Sequence, residues 1–282
     1  MSIISFRSNE LKETGQTMSL VATATQMAIE HNMKVLIIST SFNDKTLENC
    51  FWKLDKQKKP IFIDDIMMRP TSIGVDSGVE GLIRGLVSNK TDLEVVKNYS
   101  KTVLRDRLDI LVSPNTESSQ EYDRISANYL EIIKMANRYY DMVFVDITNR
   151  MNGRIAKDIL EISDVILLNM TQKLQNIEEV IELREKDTLY KRRNVMLLIG
   201  RYDAHSKYNI KNVARFMKEK NGVLAIPYNT LFFESCSEGK VVDYFLRLKR
   251  IDQNDRNYVF MNDVNDVVEA ILEKLKEVQA KI

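Results

Sequence analysis

Short apolar runs alternate along this chain with longer stretches in which apolar residues recur at every third or fourth position. The first two runs lie at residues 3–6 and 35–38, and residues 20–28 between them have helical spacing. Runs without polar alternation are typical of parallel strands that are covered on both faces. The pattern therefore predicts a strand, a polar loop and a helix that begins near Gly15, followed by a second strand.

The same alternation continues towards the C-terminal end of the sequence. Further strands are predicted at 108–112, 142–145, 165–168, 195–199 and 223–226, and further helices at 76–87, 92–98, 122–139, 155–162, 177–183, 213–218 and 263–281. Strands separated by helices indicate βα units and a mostly parallel sheet. Because the sequence has no internal repeat and no low-complexity linker, residues 1–282 are predicted to form one α/β domain in which helices flank a central sheet.

The strand, loop and helix at the N-terminal end have the arrangement with which P-loop proteins bind phosphate. Loop amides and the positive end of the helix dipole converge there on an anion. The fixed positions of the pattern G-x-x-x-x-G-K-[ST] fall on Glu10, Gly15, Gln16 and Thr17, so two of them match. Gln16 replaces the lysine and has no charge, which removes a charge-assisted contact to phosphate. We expect weakened phosphate binding.

Asp146 ends the apolar run YYDMVFVD. A carboxylate at the carboxyl end of a parallel strand lies where open α/β sheets bind ligands, and it is a ligand type that Mg²⁺ prefers. Asp146 is therefore a candidate magnesium ligand. The alternative is that its side chain only caps the turn that follows, and the residues alone leave both open.

Composition excludes several other classes of protein. A formal net charge of +1, from 41 basic and 40 acidic residues, gives no global field for nucleic acid or membrane. Cys50 and Cys236 are far apart and no secretory signal precedes them, which favours reduced thiols and a cytoplasmic location. With His31 and His205 as the only histidines, a structural zinc site is not expected. No run approaches the roughly 18 apolar residues that cross a bilayer.

With the loop and Asp146 paired, the sequence resembles the ParA/MinD family of P-loop ATPases, whose phosphate loop deviates from the common pattern. The resemblance rests on the strand-loop-helix at 3–30 and then, in order, on KVLIIS, SGVEGLIRGL, RLDILVSPN, YYDMVFVD, SDVILLNMTQ, LLIGRYD, AIPYN and SEGKVVDYF. The glycine-poor loop is most similar to the TadZ/CpaE-like branch, which positions pilus and secretion machinery. The resemblance implies a three-layer P-loop NTPase-like fold.

The resemblance also implies a set of site residues. Nucleotide contacts are expected from Lys12, Glu13, Thr14, Gly15, Gln16, Thr17, Met18, Arg201, Pro227, Tyr228 and Asn229. Magnesium is expected on Thr17 and Asp146. Lys12 lies one position from the signature lysine that reaches the partner's nucleotide across the family's dimer interface. Either a slip of one residue restores that charge, or Lys12 is an exposed lysine on a polar loop.

Hydrolysis is expected to be slow. In the family an aspartate pair follows the second strand, and one member orients the attacking water. Those positions fall here on Ser39 and Ser41, which leaves Asp44 as the nearest carboxylate. Asp44 and Asp146 are the candidate catalytic residues. Phosphoanhydride hydrolysis depends on positioning and charge neutralisation, so losing the lysine and the aspartate slows it.

The expected function is a positioning or assembly protein of the ParA/MinD type that binds ATP or ADP with Mg²⁺ and hydrolyses it weakly, if at all. A homodimer is expected, acting on a pilus, secretion or conjugation apparatus. The protein would be cytoplasmic, with recruitment to a membrane-associated or polar assembly and no stable membrane insertion.

The alternative is an active ParA-type partition ATPase that binds DNA non-specifically. Its contacts would come from the basic stretches at 191–193 and 247–250, for which ordinary solvated charge is the simpler explanation. The apolar stripe of the last helix, at 264–275, either packs on the core or touches a membrane. Core packing is expected, because Glu269 and Glu273 would repel anionic lipid.

Overall fold

A computed structural model describes residues 1–10, 14–53, 77–88, 94–220 and 222–280. The strands are β1 (Ser2–Ser8), β2 (Val35–Ser39), β3 (Lys101–Leu104), β4 (Leu108–Leu111), β5 (Met142–Asp146), β6 (Val165–Met170), β7 (Val195–Tyr202) and β8 (Leu224–Pro227). The helices are α1 (Gln16–Glu30), α2 (Thr46–Asn49), α3 (Gly78–Ser88), α4 (Val95–Tyr99), α5 (Ser119–Ser126), α6 (Tyr129–Ala136), α7 (Gly153–Glu161), α8 (Leu174–Lys186), α9 (Ile210–Phe216), α10 (Thr230–Glu238), α11 (Val241–Leu248) and α12 (Tyr258–Gln279), with a 3-10 helix at Thr188–Lys191.

Within the described residues the strands form one sheet in the order β3-β4-β2-β5-β1-β6-β7-β8. All neighbours pair parallel except β3, which pairs antiparallel with β4. The predicted α/β class and mostly parallel sheet are confirmed. The edge strand β3 was not predicted, because only two of its four residues, KTVL, are apolar.

Each face of the sheet is covered by its own core, which explains the uninterrupted apolar runs. In β2, Val35 and Ile37 pack with α1 and α12, whereas Leu36 and Ile38 pack with α6 and α7 on the opposite face. A third cluster packs α8 and α9 against β6 and β7. Most positions of such a strand are therefore apolar.

The helix predicted at 122–139 is in fact two helices, α5 and α6. The amide of Asn128 donates to the carbonyl oxygens of Arg124 and Ile125, at 3.0 and 3.3 Å, and so takes acceptors that a continuous helix would use. The break lets a tyrosine from each helix reach the chain after β2. Tyr122 donates to the carbonyl of Thr40 at 2.6 Å, and Tyr129 to that of Ser39 at 3.0 Å.

The apolar stripe of the last helix packs on the core, as expected. Its buried residues are Phe260, Met261, Val264, Val267, Val268, Ile271 and Leu275. They lie in the same cluster as α1 and β1. None of the helices in the described ranges is long and apolar enough to cross a membrane.

Because Ile271 is fully buried in this cluster, Ile271→Ala is expected to lower the free energy of unfolding by about 2–5 kcal/mol. Urea denaturation monitored by circular dichroism measures the change. Exposed Glu273 on the same helix provides the matched control, and Glu273→Ala is expected to stay within about 0.5 kcal/mol of the wild type. Equal effects of the two substitutions would contradict the packing of this stripe.

Candidate functional site

The strand order brings the first turn of α1 next to the end of β5. Phe6 of β1 and Ser39 of β2 are both register partners of Asp146, so this carboxylate lies between two strands at the carboxyl edge of the sheet. Its side chain is buried, with 3% of the residue exposed. Open parallel sheets bind ligands at this edge.

Both carboxylate oxygens of Asp146 accept hydrogen bonds from α1. Gln16 Nε2 donates to Oδ1 at 2.7 Å, and Thr17 Oγ1 donates to Oδ2 at 2.7 Å. The chain after Asp146 is held through the backbone of Asp146 and not through its side chain. The hydroxyl of Thr40 donates to the carbonyl oxygen of Asp146 at 2.7 Å. The Asp146 side chain therefore faces the loop and helix rather than capping its own turn.

The side-chain amide of Gln16 lies among three hydrogen-bond acceptors. Besides Asp146 Oδ1, its Nε2 lies 3.2 Å from the carbonyl oxygen of Phe6 and 3.0 Å from that of Ile147. An amide has two hydrogens for these three acceptors, whereas a lysine ammonium has three. The three acceptors thus suit the lysine that the common pattern places here. Gln16 donates to the same acceptors but has no charge.

Thr14 and Gly15, which precede α1, rest directly on β7. Gly15 has a left-handed backbone (φ 73°), a conformation that glycine adopts at low cost. Gly200 of β7 lies beneath it, and a Cβ at Gly200 would be 2.2 Å from the carbonyl oxygen of Thr14. Sequence reasoning missed Gly200, although a glycine inside a buried strand is a known signal of close backbone approach.

An arginine and two aromatic rings form a further part of the wall of the site. Arg201 has a left-handed backbone (φ 54°) where the pairing of β7 and β8 shifts register. Its guanidinium carbon lies 6.0 Å from the ring centre of Tyr228, which in turn lies 6.2 Å from that of Phe233. Tyr228 is 52% exposed, so its ring is free to stack on a flat ligand.

The side chain of Asn229 forms hydrogen bonds within the wall of the site. Its Oδ1 accepts from the backbone amide of Phe232 at 2.8 Å and so caps α10. Its Nδ2 donates to Asn257 Oδ1 at 3.0 Å. These bonds hold the turn that presents Tyr228, so the amide of Asn229 is a structural element of the cavity wall.

These features enclose a cavity of about 530 Å³. Of the residues expected from the sequence, it is lined by Thr14, Gly15, Gln16, Thr17, Met18, Asp44, Asp146, Arg201, Pro227, Tyr228 and Asn229. Lys12 and Glu13 lie outside the described residues, so their expected contacts stay predictions. The volume lies within the range of small-molecule sites, which are cavities of about 300–1,000 Å³.

The charged residues that line the cavity are mostly acidic. Glu10, Asp44 and Asp146 carry negative charge, and Arg201, whose side chain packs beside Gly15, is the cation among the described lining residues. Burial raises the pKa of Asp146 to about 6, although the bonds from Gln16 and Thr17 oppose that rise. At neutral pH the described lining residues therefore carry more negative than positive charge.

Asp44 lines the cavity but is already bound. Its Oδ1 accepts from the backbone amide and from the hydroxyl of Thr46, at 2.8 and 2.5 Å, at the start of α2. Ser39 and Ser41, at the positions of the family's aspartates, contact each other at 3.3 Å between their hydroxyls. No other carboxylate from the second-strand segment, within the described part of the chain, lines the cavity.

Sequence reasoning also missed polar residues inside the neighbouring strands. Asn169 is fully buried at the end of β6, in register with Ser8, and neither of its amide atoms has a partner among the described residues. Arg7 of β1 donates to the carbonyl of Thr148 at 2.6 Å, and burial lowers the pKa of its guanidinium. A polar residue that interrupts an apolar run was the available signal for both.

The sequence matches no protein-family model and no curated protein significantly. Its structure, however, resembles several solved structures over nearly the whole chain. A ParA-family ATPase from Chlorobium tepidum TLS aligns with a TM-score of 0.69 at 16% identity, covering 96% of this chain and 98% of that one.

Two structures that were solved with bound nucleotides resemble this chain to a similar extent. MinD from Pyrococcus horikoshii OT3, solved with Mg-ADP, has a TM-score of 0.62 at 15% identity and covers 97% of this chain and 98% of its own. A putative plasmid partition protein from Borrelia burgdorferi B31, bound to AMPPNP, has a TM-score of 0.61 at 18% identity, with 97% and 99% covered. The chain therefore has the fold of the ParA- and MinD-type P-loop ATPases.

Proposed function

We propose that this chain is a positioning protein of the ParA/MinD type that binds an adenine nucleotide and hydrolyses it slowly or not at all. The observation that carries the proposal is the cavity in which the N-terminus of α1, Asp146 and the Arg201–Tyr228 pair meet. A phosphate chain fits the helix end, and a flat base fits the aromatic end.

Magnesium fits the loop end of this cavity. The hydroxyl of Thr17 and the carboxylate of Asp146 are oxygen donors of the type that Mg²⁺ prefers, and they lie within 2.7 Å of each other. No group of three His, Cys, Asp or Glu side chains within the described ranges could hold a metal alone, so phosphates and water would complete its ligands. Bound Mg²⁺ would neutralise part of the phosphate charge that Gln16 leaves unbalanced.

Slow hydrolysis follows from what the cavity holds. Phosphoryl transfer needs a residue that orients water and cations that stabilise charge in the transition state. One carboxylate oxygen of Asp44 accepts a hydrogen bond from the backbone amide of Thr46 at the start of α2. Gln16 provides an amide where the common pattern has an ammonium. These contacts support binding as the main event at this site.

The biological role follows from the resemblance of the glycine-poor loop to TadZ/CpaE-like proteins. We place this chain as a homodimer that positions or assembles a pilus, secretion or conjugation apparatus in the cytoplasm, next to a membrane-associated or polar assembly. The solved structures of similar fold include a septum site-determining protein and a plasmid partition protein, which supports the broader positioning role.

Gln16→Lys is expected to tighten ATP and ADP binding by about tenfold or more, because the ammonium adds a positive charge beside the N-terminus of α1, where the phosphates are expected to bind. Calorimetry with and without Mg²⁺ measures the change. Gln16→Met, which fills the same space without donating, is the matched control and should weaken binding. Adenosine, which lacks phosphate, should bind all three proteins equally. Turnover of ATP by the wild type at rates typical of intact relatives, abolished in Asp146→Ala, would refute the proposal.

Because the Asp146 pKa is raised to about 6, this carboxylate is neutral below that pH and repels phosphate above it. Binding of ADP without Mg²⁺ is therefore expected to strengthen several-fold more in the wild type than in Asp146→Asn between pH of about 7.5 and about 5.5. Calorimetry at both values measures the difference. Protonation of ADP itself is common to both proteins and cancels. Parallel pH profiles would show that Asp146 does not face the phosphates.

A second candidate function is an active partition ATPase that binds DNA. The observation in its favour is a group of exposed cations at Lys191, Arg192, Arg193, Lys207, Lys211, Arg215, Lys218 and Lys220. Arg184 joins the two segments, since it pairs with Glu219 at 2.7 Å and donates to the carbonyl of Tyr190. By contrast, Lys249 of the other predicted basic stretch is paired with Glu30 at 3.8 Å.

If this second function holds, the double reversal Lys211→Glu, Arg215→Glu should abolish ATP-dependent retention of DNA at low salt and reduce its salt dependence. The matched control is Lys134→Glu, Arg138→Glu, which reverses two exposed charges outside both basic stretches. Gel retardation at several salt concentrations measures both. Retention that neither reversal changes would count against a partition ATPase.

A further inference from the structure

A second cavity lies at the opposite edge of the sheet, where β2 and β4 begin. Its volume is about 280 Å³, roughly half that of the nucleotide cavity. Lys34 precedes β2, and Arg105 and Arg107 flank the turn between β3 and β4. The two cavities are thus separated by the length of β2, and neither shares a lining residue with the other.

Cations are concentrated around this second cavity. Lys34, Lys97, Arg105 and Arg107 line it, against the two carboxylates of Asp106 and Asp109. Arg107 already donates to the carbonyl of His31 at 3.0 Å, and Arg105 pairs with Asp106 at 3.6 Å on the surface. The two lysines have no carboxylate within ion-pair distance among the described residues.

The two lysines instead share one aromatic ring. The ammonium of Lys34 lies 4.8 Å from the ring centre of Tyr139, and that of Lys97 lies 5.5 Å from it. A ring attracts each cation through its quadrupole, but two like charges at one ring repel each other. An anion between them would relieve that repulsion, and a phosphate carries enough charge and enough oxygens to contact both.

Asp109 brings a second, opposite requirement to the same cavity. It is only 8% exposed, and its Oδ2 accepts from the hydroxyl of Tyr140 at 2.9 Å. Its Oδ1 is buried and has no hydrogen-bond partner in the described part of the chain. Burial and the charge of Asp109 raise the pKa of Tyr140, so that phenol stays a donor. A buried carboxylate oxygen left unpaired is costly, and an ammonium or hydroxyl group would satisfy it.

We infer that this cavity is a second ligand site for a small phosphate monoester that also carries an ammonium or hydroxyl group. The phosphate lies between Lys34 and Lys97, with Arg105 at the rim, and the donor group is directed at the carboxylate of Asp109, which lines the cavity. The volume admits such a molecule but is small for a nucleotide. The site is independent of the nucleotide cavity and of the function proposed for it.

Calorimetry on the full chain with phosphoethanolamine, inorganic phosphate and ethanolamine tests this inference. Phosphoethanolamine should bind more tightly than either fragment, because it meets both requirements at once. Asp109→Asn keeps an acceptor for Tyr140 but loses the charge, so it should weaken phosphoethanolamine binding by about tenfold or more while phosphate binding holds or strengthens. Glycerol 3-phosphate in place of phosphoethanolamine distinguishes a hydroxyl donor from an ammonium.

The double variant Lys34→Gln, Lys97→Gln should weaken phosphate and phosphoethanolamine alike, and Lys276→Gln, an exposed lysine on α12, is its control. Excess ADP should leave phosphoethanolamine binding unchanged, since the nucleotide cavity is separate. Three results would overturn the inference. The first is that phosphoethanolamine does not bind at millimolar concentration. The second is that phosphate binds as tightly as phosphoethanolamine and that Asp109→Asn changes neither. The third is that binding persists in the variant that lacks both lysines.

Discussion

The pairing of Asp146 with the first turn of α1 is the interaction on which the candidate site depends. A carboxylate buried at the end of β5 needs donors for both oxygens, and Gln16 and Thr17 are the two residues that supply them. These bonds fix the start of α1 to the edge where β1, β2 and β5 meet. The first turn of α1 therefore has a defined position relative to Asp146 in the absence of a ligand.

Much of the fold could be predicted because strands covered on both faces leave an uninterrupted apolar run, as in β2 and β5. The prediction failed where side chains act on the backbone. Asn128 ends α5 by bonding carbonyls one turn back, and the mixed residues of β3 conceal an edge strand. The capping role of Asn229 was readable in principle, since asparagine is a favoured first residue of a helix, but α10 itself was not predicted.

The candidate site was predictable in its residue types but not in its contacts. Spacing alone identified Gln16, Thr17 and Asp146, because each stands at a fixed position of a pattern or at a strand end. The contacts depend on side-chain directions, which residue spacing does not encode. Examples are the three acceptors around the Gln16 amide and the hydrogen bond between Asp44 and Thr46. The distribution of charge was not predicted either. Carboxylates line the nucleotide cavity, and lysines line the cavity at the opposite edge of the sheet.

Gly200 fixes the distance between β7 and the residues that precede α1. Since no side-chain carbon fits between Gly200 and the carbonyl of Thr14, this distance cannot be changed by substitution at Gly200. Adaptation to bulkier ligands, by evolution or by design, is thereby left to the aromatic part of the cavity wall. There Tyr228 and Phe233 are about half exposed, so they can change rotamer or be replaced at little expense to stability.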